Sequence, residues 1–231
     1  AGESSRFKKA GYKLPKYQLP FKEHSVFDEV ITPFYRISEN HKFIFVCRNN
    51  KSCLGFLENK LAKYNFKNAK VISLVNSTSG QAETAYLGLS SSSKDESLAI
   101  FNIDTFHKNY QPISFESEEY KDSSGILEVF EDSGSNWSFA KVFNEKVVQT
   151  SEKVPISNLA SNGMYYFKSV QIFKSTYESF FYGGQGVTKG ERYIAPMYNE
   201  LIAHNHIVKV KKIAKKDLTF CGTPEEYEGL L

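Results

Sequence analysis

The chain has 231 residues, 41% of them hydrophobic and 15% aromatic, with 29 Lys+Arg against 26 Asp+Glu for a formal net charge of +3. That length supports one large core without disulfide or metal staples, and the charge balance argues against an acidic tail, a polybasic nucleic-acid face or a disordered chain. Cys47, Cys53 and Cys221 form no CxxC pair, which fits a reducing cytoplasm better than a disulfide framework or a zinc site, and no apolar run approaches the roughly 18 residues of a membrane span.

In chain order, 43–47 and 70–75 are short apolar runs rich in β-branched and aromatic residues, the pattern of strands buried on both faces. A third run, 98–102, ends in polar Asn102 and Asp104. Between them, 51–64 (apolar at Leu54, Leu57 and Leu61) and 81–89, after the Ser77-Thr78-Ser79-Gly80 turn, read as helices. Strand, helix, strand, helix, strand predicts a parallel α/β sheet whose ligands gather at the carboxyl ends of the strands, where Asp104 would lie. From Gly125 the strand candidates become closely spaced: 126–130, 137–143 and 147–151, with Asp132-Ser133-Gly134 and Asn144-Glu145 as turns. This predicts an antiparallel hairpin region appended to the sheet. A strand over 164–167, helices over 169–181 and 191–204, and an alternating edge strand over 206–213 complete a single domain, 1–231. There is no internal repeat and no long linker.

The amino-terminal stretch, Ala1-Gly2-Glu3-Ser4-Ser5-Arg6-Phe7 followed by Gly11-Tyr12-Lys13-Leu14-Pro15-Lys16, carries the strongest chemical signal. A loop of small residues frees backbone N–H groups to cradle a triphosphate, and Arg and Lys can neutralise charge at the α-phosphate; a plain turn is the alternative reading. The pattern A-G-x-x-S-R-F-x-x-x-G-Y-x-x-P-K resembles the signature loop of the nucleotidylyltransferases related to sugar-1-phosphate pyrophosphorylases. Four later landmarks stand in that family's order: Gly80-Gln81-Ala82, Asn102-Ile103-Asp104, Ser151-Glu152-Lys153 and Gly222-Thr223-Pro224-Glu225.

The resemblance implies a Rossmann-like, mostly parallel sheet of the nucleotide-diphospho-sugar transferase type. It also implies transfer of a nucleoside monophosphate to a phosphorylated sugar or other small acceptor, with release of pyrophosphate. On it, Arg6, Lys16 and Lys153 are the catalytic cations. Ala1, Gly2, Glu3, Ser4, Gln81 and Asn102 bind the nucleotide, with Gln81 on the base edge, and Glu152, Gly163 and Tyr193 bind the acceptor. Asp104 is the Mg²⁺ ligand, a hard carboxylate that together with phosphate oxygens suits that ion. Asn199 is a second ligand by its neutral oxygen, or else a packing or capping residue, since Y-I-A-P-M-Y-N lacks the aspartate related enzymes carry. Glu3 departs from the small residue usual in the loop. Because the loop follows a central strand in this family, that strand is expected upstream of Ala1.

CTP or another pyrimidine nucleotide is the expected donor, and capsule or surface-polysaccharide precursor synthesis the expected setting. The alternatives are a nucleotide-sugar-dependent glycosyltransferase, with Asn102-Ile103-Asp104 as its metal motif, and a catalytically silent nucleotide-binding paralogue. No nucleic-acid or membrane partner is expected; self-association stays open. For the remaining conspicuous residues the expectation is structural: Trp137 in the core, His204 and His206 on the surface, and the run Lys209, Lys211, Lys212, Lys215 and Lys216 as a solvated edge face.

Overall fold

Two aromatic and β-branched runs joined by a helix pair in parallel, because a crossover of that length returns the chain in the same direction. Phe43–Arg48 lies beside Ala69–Leu74 with Phe43 opposite Ala69 and Arg48 opposite Leu74, and the helix Lys51–Lys63 connects them. This computed structural model describes residues 2, 4–184, 187, 188 and 190–231. The chain forms two compact units: Ala1–Thr78 with Ile103–Gln111 and Lys216–Leu231, and Ser79–Asn102 with Pro112–Lys215.

In the first unit the connecting helix starts where the Asn50 side chain accepts the Cys53 N–H at 2.8 Å. It buries Leu57 and Leu61 against Phe27, Ile31, Cys47 and Phe66. Rings fill the space between: Phe43 meets Phe66 edge-on at 5.2 Å between centroids, and Phe27 meets Phe56 edge-on at 5.6 Å, the geometry aromatic quadrupoles favour. Phe27 and Ile31 come from a helix that the sequence reading passed over, Val26–Tyr35. Its start is set by a capping box in which Asp28 accepts the Ser25 N–H at 2.7 Å. Two small antiparallel pairs complete the unit: Pro20–Phe21 with His24–Ser25, and Thr105–His107 with Leu218–Phe220.

The second unit is built on a mixed sheet in the order Val208–Lys212, Gly125–Glu131, Leu159–Phe167, Ser138–Phe143, Lys146–Glu152. Val208–Lys212 is parallel to its neighbour and lies at the edge, as its alternating lysines lead one to expect. The hairpin turns at Asn144 and Glu145, both with positive φ (46° and 62°), as a two-residue turn of type I′ requires. Antiparallel pairing reaches beyond this hairpin. Leu98–Ile100, which the alternating pattern placed among parallel strands, lies antiparallel to Leu159–Phe167, and every residue of that nine-residue strand is buried. The helix Val170–Tyr182 is capped by Ser169, which accepts the Ile172 N–H at 3.1 Å. The long helix expected over 191–204 is instead a strand Glu191–Arg192 and a short helix Met197–Ala203. Pro196 explains the late start, since proline suits the entry of a helix and breaks its interior. No described helix is long and apolar enough to cross a membrane.

Asp28 ties the first unit together, because it caps its own helix and also meets Lys60 Nζ at 2.5 Å from the crossover helix. Burial alone would raise its pKa, but hydrogen bonds from Lys60 and Ser25 outweigh burial and hold it below the ordinary carboxylate range. A depressed folded-state pKa gives stability that is complete above the unfolded value, about 3.9, and is lost as pH falls towards the folded value. Urea unfolding should therefore show Asp28→Asn destabilised by about 2 kcal/mol at pH 7. The gap between wild type and variant should close below about pH 4.

Candidate active site

The expected site residues fall into three groups of contacts, one in the first unit and two in the second. In the first unit Ser4 adopts left-handed backbone (φ 51°) and opens the helix Ser5–Lys9. Phe7 of that helix is buried against Tyr12 and Tyr227 with centroids at 5.4 and 6.2 Å. This anchoring turns Arg6, its neighbour, out to solvent. The Ser4 hydroxyl accepts the Lys16 N–H at 3.1 Å, so the loop closes on itself and directs the Lys16 ammonium onto the Asp104 carboxylate. Gly2 is exposed and a side chain there would meet open space; Ala1 and Glu3 lie outside the described residues.

Asp104 is held from behind by its own carbonyl, which accepts the Cys221 N–H at 2.8 Å. Gly222 lies in front of it: a β-carbon there would stand 3.3 Å from Asp104 Oδ2 and 3.5 Å from Glu226 Oε2. Glu226 accepts the Gly222 and Thr223 N–H groups at 2.8 and 3.1 Å. The motif Gly222-Thr223-Pro224-Glu225 thus opens a helix whose capping box pairs Thr223 with Glu226, with proline in the first turn. Burial pushes the Cys221 thiol up to about 11 although Lys16 draws it down, which makes it an inert neighbour. Among the described residues no three His, Cys, Asp or Glu side chains gather as a metal cage. Asp104, its side chain 23% exposed, fits Mg²⁺ in the way that ion prefers, with one carboxylate supplied by the protein and the rest of the shell by phosphates and water.

In the second unit, Gly80 opens the helix Gln81–Gly88 with φ 138°. A β-carbon at Gly80 would lie 2.6 Å from the Arg192 carbonyl oxygen, and the Arg192 N–H donates to Ser79 O at 2.6 Å, so the turn that aims Gln81 admits only glycine. Arg192 is itself fixed by Tyr177 Oη at 2.5 Å and by the faces of Tyr177 and Phe181 at 5.7 and 5.3 Å. Gln81 Nε2 donates to Asn102 Oδ1, and Asn102 in turn rests against the Gly163 backbone. The structure therefore joins Gln81, Asn102 and Gly163, three residues far apart in sequence.

Lys153, the residue after the hairpin, is also left-handed (φ 58°). Non-glycine residues held there cluster at functional positions. Its N–H donates to Trp137 O at 2.9 Å, and its ammonium donates to Tyr193 Oη at 2.6 Å. Glu152 faces inward, accepts the Ser138 hydroxyl, and keeps its Oε1 3.9 Å from Lys153 Nζ. Burial raises its pKa against the pull of Ser138 and Lys153. Ser138 was missed in the sequence because a serine in a strand carries no pattern of its own.

Asn199, the expected second metal ligand or else a packing residue, is tied to a neighbouring strand. Its Oδ1 accepts the Thr150 N–H at 2.8 Å and its Nδ2 donates to Thr150 O at 2.9 Å, so both amide atoms clamp one backbone residue of the strand Lys146–Glu152. This is the contact that a packing residue makes. Trp137, expected in the core, is only half-buried at its margin: its ring meets Phe130 edge-on at 5.2 Å and its indole donates to Asp132 at 3.2 Å. His206 faces the Ser124 hydroxyl at 2.9 Å and His204 the Glu200 carbonyl at 2.9 Å. In the lysine run, Lys209, Lys211 and Lys215 pair with Asp122, Glu128 and Asp132.

No protein-family model and no curated protein matches the chain. Among solved structures, the nucleoside-diphosphate-sugar pyrophosphorylase from Vibrio cholerae RC9 is 38% identical over 100% of this chain and 97% of that one, with a TM-score of 0.90. The chain belongs to the sugar-1-phosphate nucleotidylyltransferase-like family. Its fold is that of the nucleotide-diphospho-sugar transferases. The inositol-1-phosphate CTP transferase of T. maritima is 16% identical, with TM-score 0.70 over 100% of this chain and 91% of that one. A glucose-1-phosphate thymidylyltransferase from Bacillus anthracis is 14% identical, with TM-score 0.74 over 99% and 90%. These two share the fold with this nucleotidylyltransferase-like chain.

The clamp at Asn199 separates a strut from a ligand. Asn199→Asp would set a carboxylate oxygen against the Thr150 carbonyl, and urea unfolding should register a loss of about 1–3 kcal/mol. A gain in Mn²⁺ affinity in the same variant would restore the metal role.

Proposed function

We propose that this chain transfers a nucleoside monophosphate from a nucleoside triphosphate to a phosphorylated sugar or similar small phosphorylated acceptor, releasing pyrophosphate. The observation that carries the reading is the full-length likeness, at 38% identity, to a nucleoside-diphosphate-sugar pyrophosphorylase. The Lys16–Asp104 contact supports it by joining two of the residues assigned to the triphosphate and its cation. CTP or another pyrimidine nucleotide is the first candidate donor, as the family resemblance implies; one fold relative is named for CTP. The product would feed capsule or surface-polysaccharide precursor synthesis in the cytoplasm.

The acceptor phosphate oxygen attacks the α-phosphorus, the bond to the β-phosphate oxygen breaks, and pyrophosphate leaves with the electron pair. Since the attacking phosphate is already an anion, the protein needs no nucleophile and no general base. Its task is to neutralise charge and align the two phosphates. Arg6 and Lys16 act on the triphosphate, and Lys153, its ammonium steadied by Tyr193, acts on the acceptor phosphate. Gln81, held by Asn102, meets the base edge, where an amide can offer either a donor or an acceptor. Asp104 is the residue that would hold Mg²⁺, which when bound offsets negative charge on the phosphate oxygens.

Thermal-shift measurements with the four common triphosphates and Mg²⁺ test the donor, because a ligand at about 100 times its Kd adds about 2.7 kcal/mol to stability. With the matching acceptor, pyrophosphate should appear at a rate that Asp104→Asn abolishes and that Lys16→Ala lowers by about 100-fold or more. Undiminished pyrophosphate release in Asp104→Asn would remove the metal role. Tight triphosphate binding without turnover on any phosphorylated acceptor would instead mark a nucleotide-binding protein without catalysis.

A further inference from the structure

Glu128 stands in the middle of the strand Gly125–Glu131 between Ile126, Leu127, Val129 and Phe130, all no more than 1% exposed, and is itself 0% exposed. Burying a carboxylate costs several kcal/mol, and well-packed apolar residues commonly replace buried ion pairs without loss of stability. A charge kept here therefore calls for an explanation other than packing. Its partners supply one. Lys211, directly opposite in the parallel register, brings its ammonium 3.0 Å from Oε1, and the Tyr166 hydroxyl donates to the same oxygen at 3.2 Å. The other oxygen, Oε2, accepts Asn162 Nδ2 at 2.8 Å.

With its amide turned by Glu128, Asn162 offers Oδ1 to the Met164 N–H at 3.0 Å. The Gly163 N–H donates to Ser161 Oγ at 3.2 Å. These bonds shape the bulge between Ser161 and Tyr165, in which Gly163 takes φ +87°. The Gly163 backbone lies so close to Asn102 that a β-carbon would stand 2.9 Å from Asn102 Cγ, and Asn102 holds Gln81. Contacts thus run without a break from Lys211 and Glu128 through Asn162 and the Gly163 bulge to Asn102 and Gln81, all within one unit.

We infer that Glu128 is a positioning residue for the Gln81–Asn102 pair, acting through Asn162 and the Gly163 bulge, and that it thereby sets discrimination among nucleobases. The inference rests on the nucleotidyl-transfer reading for what the pair recognises. Glu128 does not touch substrate. A fixed hydrogen-bond network selects one arrangement of its members, and a misaimed amide loses its preference between donor and acceptor edges.

The test compares wild type with Glu128→Leu, which deletes the network's acceptor, and Glu128→Gln, which retains one acceptor oxygen. Calorimetric titration with ATP, GTP, CTP and UTP in Mg²⁺ should show Glu128→Leu binding the preferred triphosphate about tenfold more weakly, the scale of one lost hydrogen bond. The gap between preferred and disfavoured bases should narrow, and Glu128→Gln should restore most of it. The side-chain amide NMR signals of Gln81 and Asn102 should move in Glu128→Leu and return in Glu128→Gln, with no ligand present. Should Glu128→Leu fail to fold, Asn162→Ser cuts the same chain of contacts one link later and should move the same signals. A folded variant with unmoved Gln81 and Asn102 signals and unchanged discrimination overturns the inference. If wild type binds no triphosphate, the function reading fails, and so does the claim about bases; the amide signals then still decide whether Glu128 positions the pair.

Discussion

A carboxylate taken out of water must find its counter-charge, and in this chain the search for one fixes which segments meet. Asp28 and Glu128 are almost wholly buried, 1% and 0% exposed, and each is met by a lysine distant in sequence, Lys60 and Lys211. An unpaired charge at such depth would cost several kcal/mol, a large share of a domain's net stability, so these contacts select among ways of packing even where they add little to the total. Each carboxylate also accepts hydrogen bonds that order backbone: Asp28 the start of a helix, Glu128 the Asn162 side chain beside a bulge. Charge burial and local geometry are here a single constraint.

Asp104 follows the same rule under a different demand. It meets Lys16, but both side chains remain about one-fifth exposed, 23% and 21%, so either can take a new partner from solvent. The buried pairs hold structure; the accessible pair leaves charge available. Glu152 is the contrasting case: its lysine stands 3.9 Å away because that ammonium is given to Tyr193, and burial wins over attraction.

The elements most legible in the sequence were those whose apolar pattern is set by one surrounding. The strands over 43–47 and 70–75 and the helix over 51–64 appear within one or two residues of their expected ends, because each lies on one core whose spacing repeats in the residues. The helix Val26–Tyr35 was passed over because Pro33 stands inside it and proline reads as a breaker; near the carboxyl end it removes little. The direction of pairing for Leu98–Ile100 could not be read, since a short apolar run looks alike on either hand. Among the site residues, Lys16 and Asp104 were named from motifs 88 positions apart, and their meeting is a tertiary fact. The two readings of Asn199 stay open in the sequence because an amide has the same composition whether it faces a cation or clamps a strand. Glu128 and Ser138 left no trace, for a polar residue inside an apolar strand declares its purpose only through the partners folding brings to it.

Gly80 and Gly163 carry no functional group, yet each is pressed by a neighbour: the first by the Arg192 backbone, the second by the Asn102 amide. Much of the information that aims the Gln81–Asn102 pair is thus stored as missing atoms. A mutational library aimed at nucleotide choice would find its least permissive positions where there is no side chain to alter.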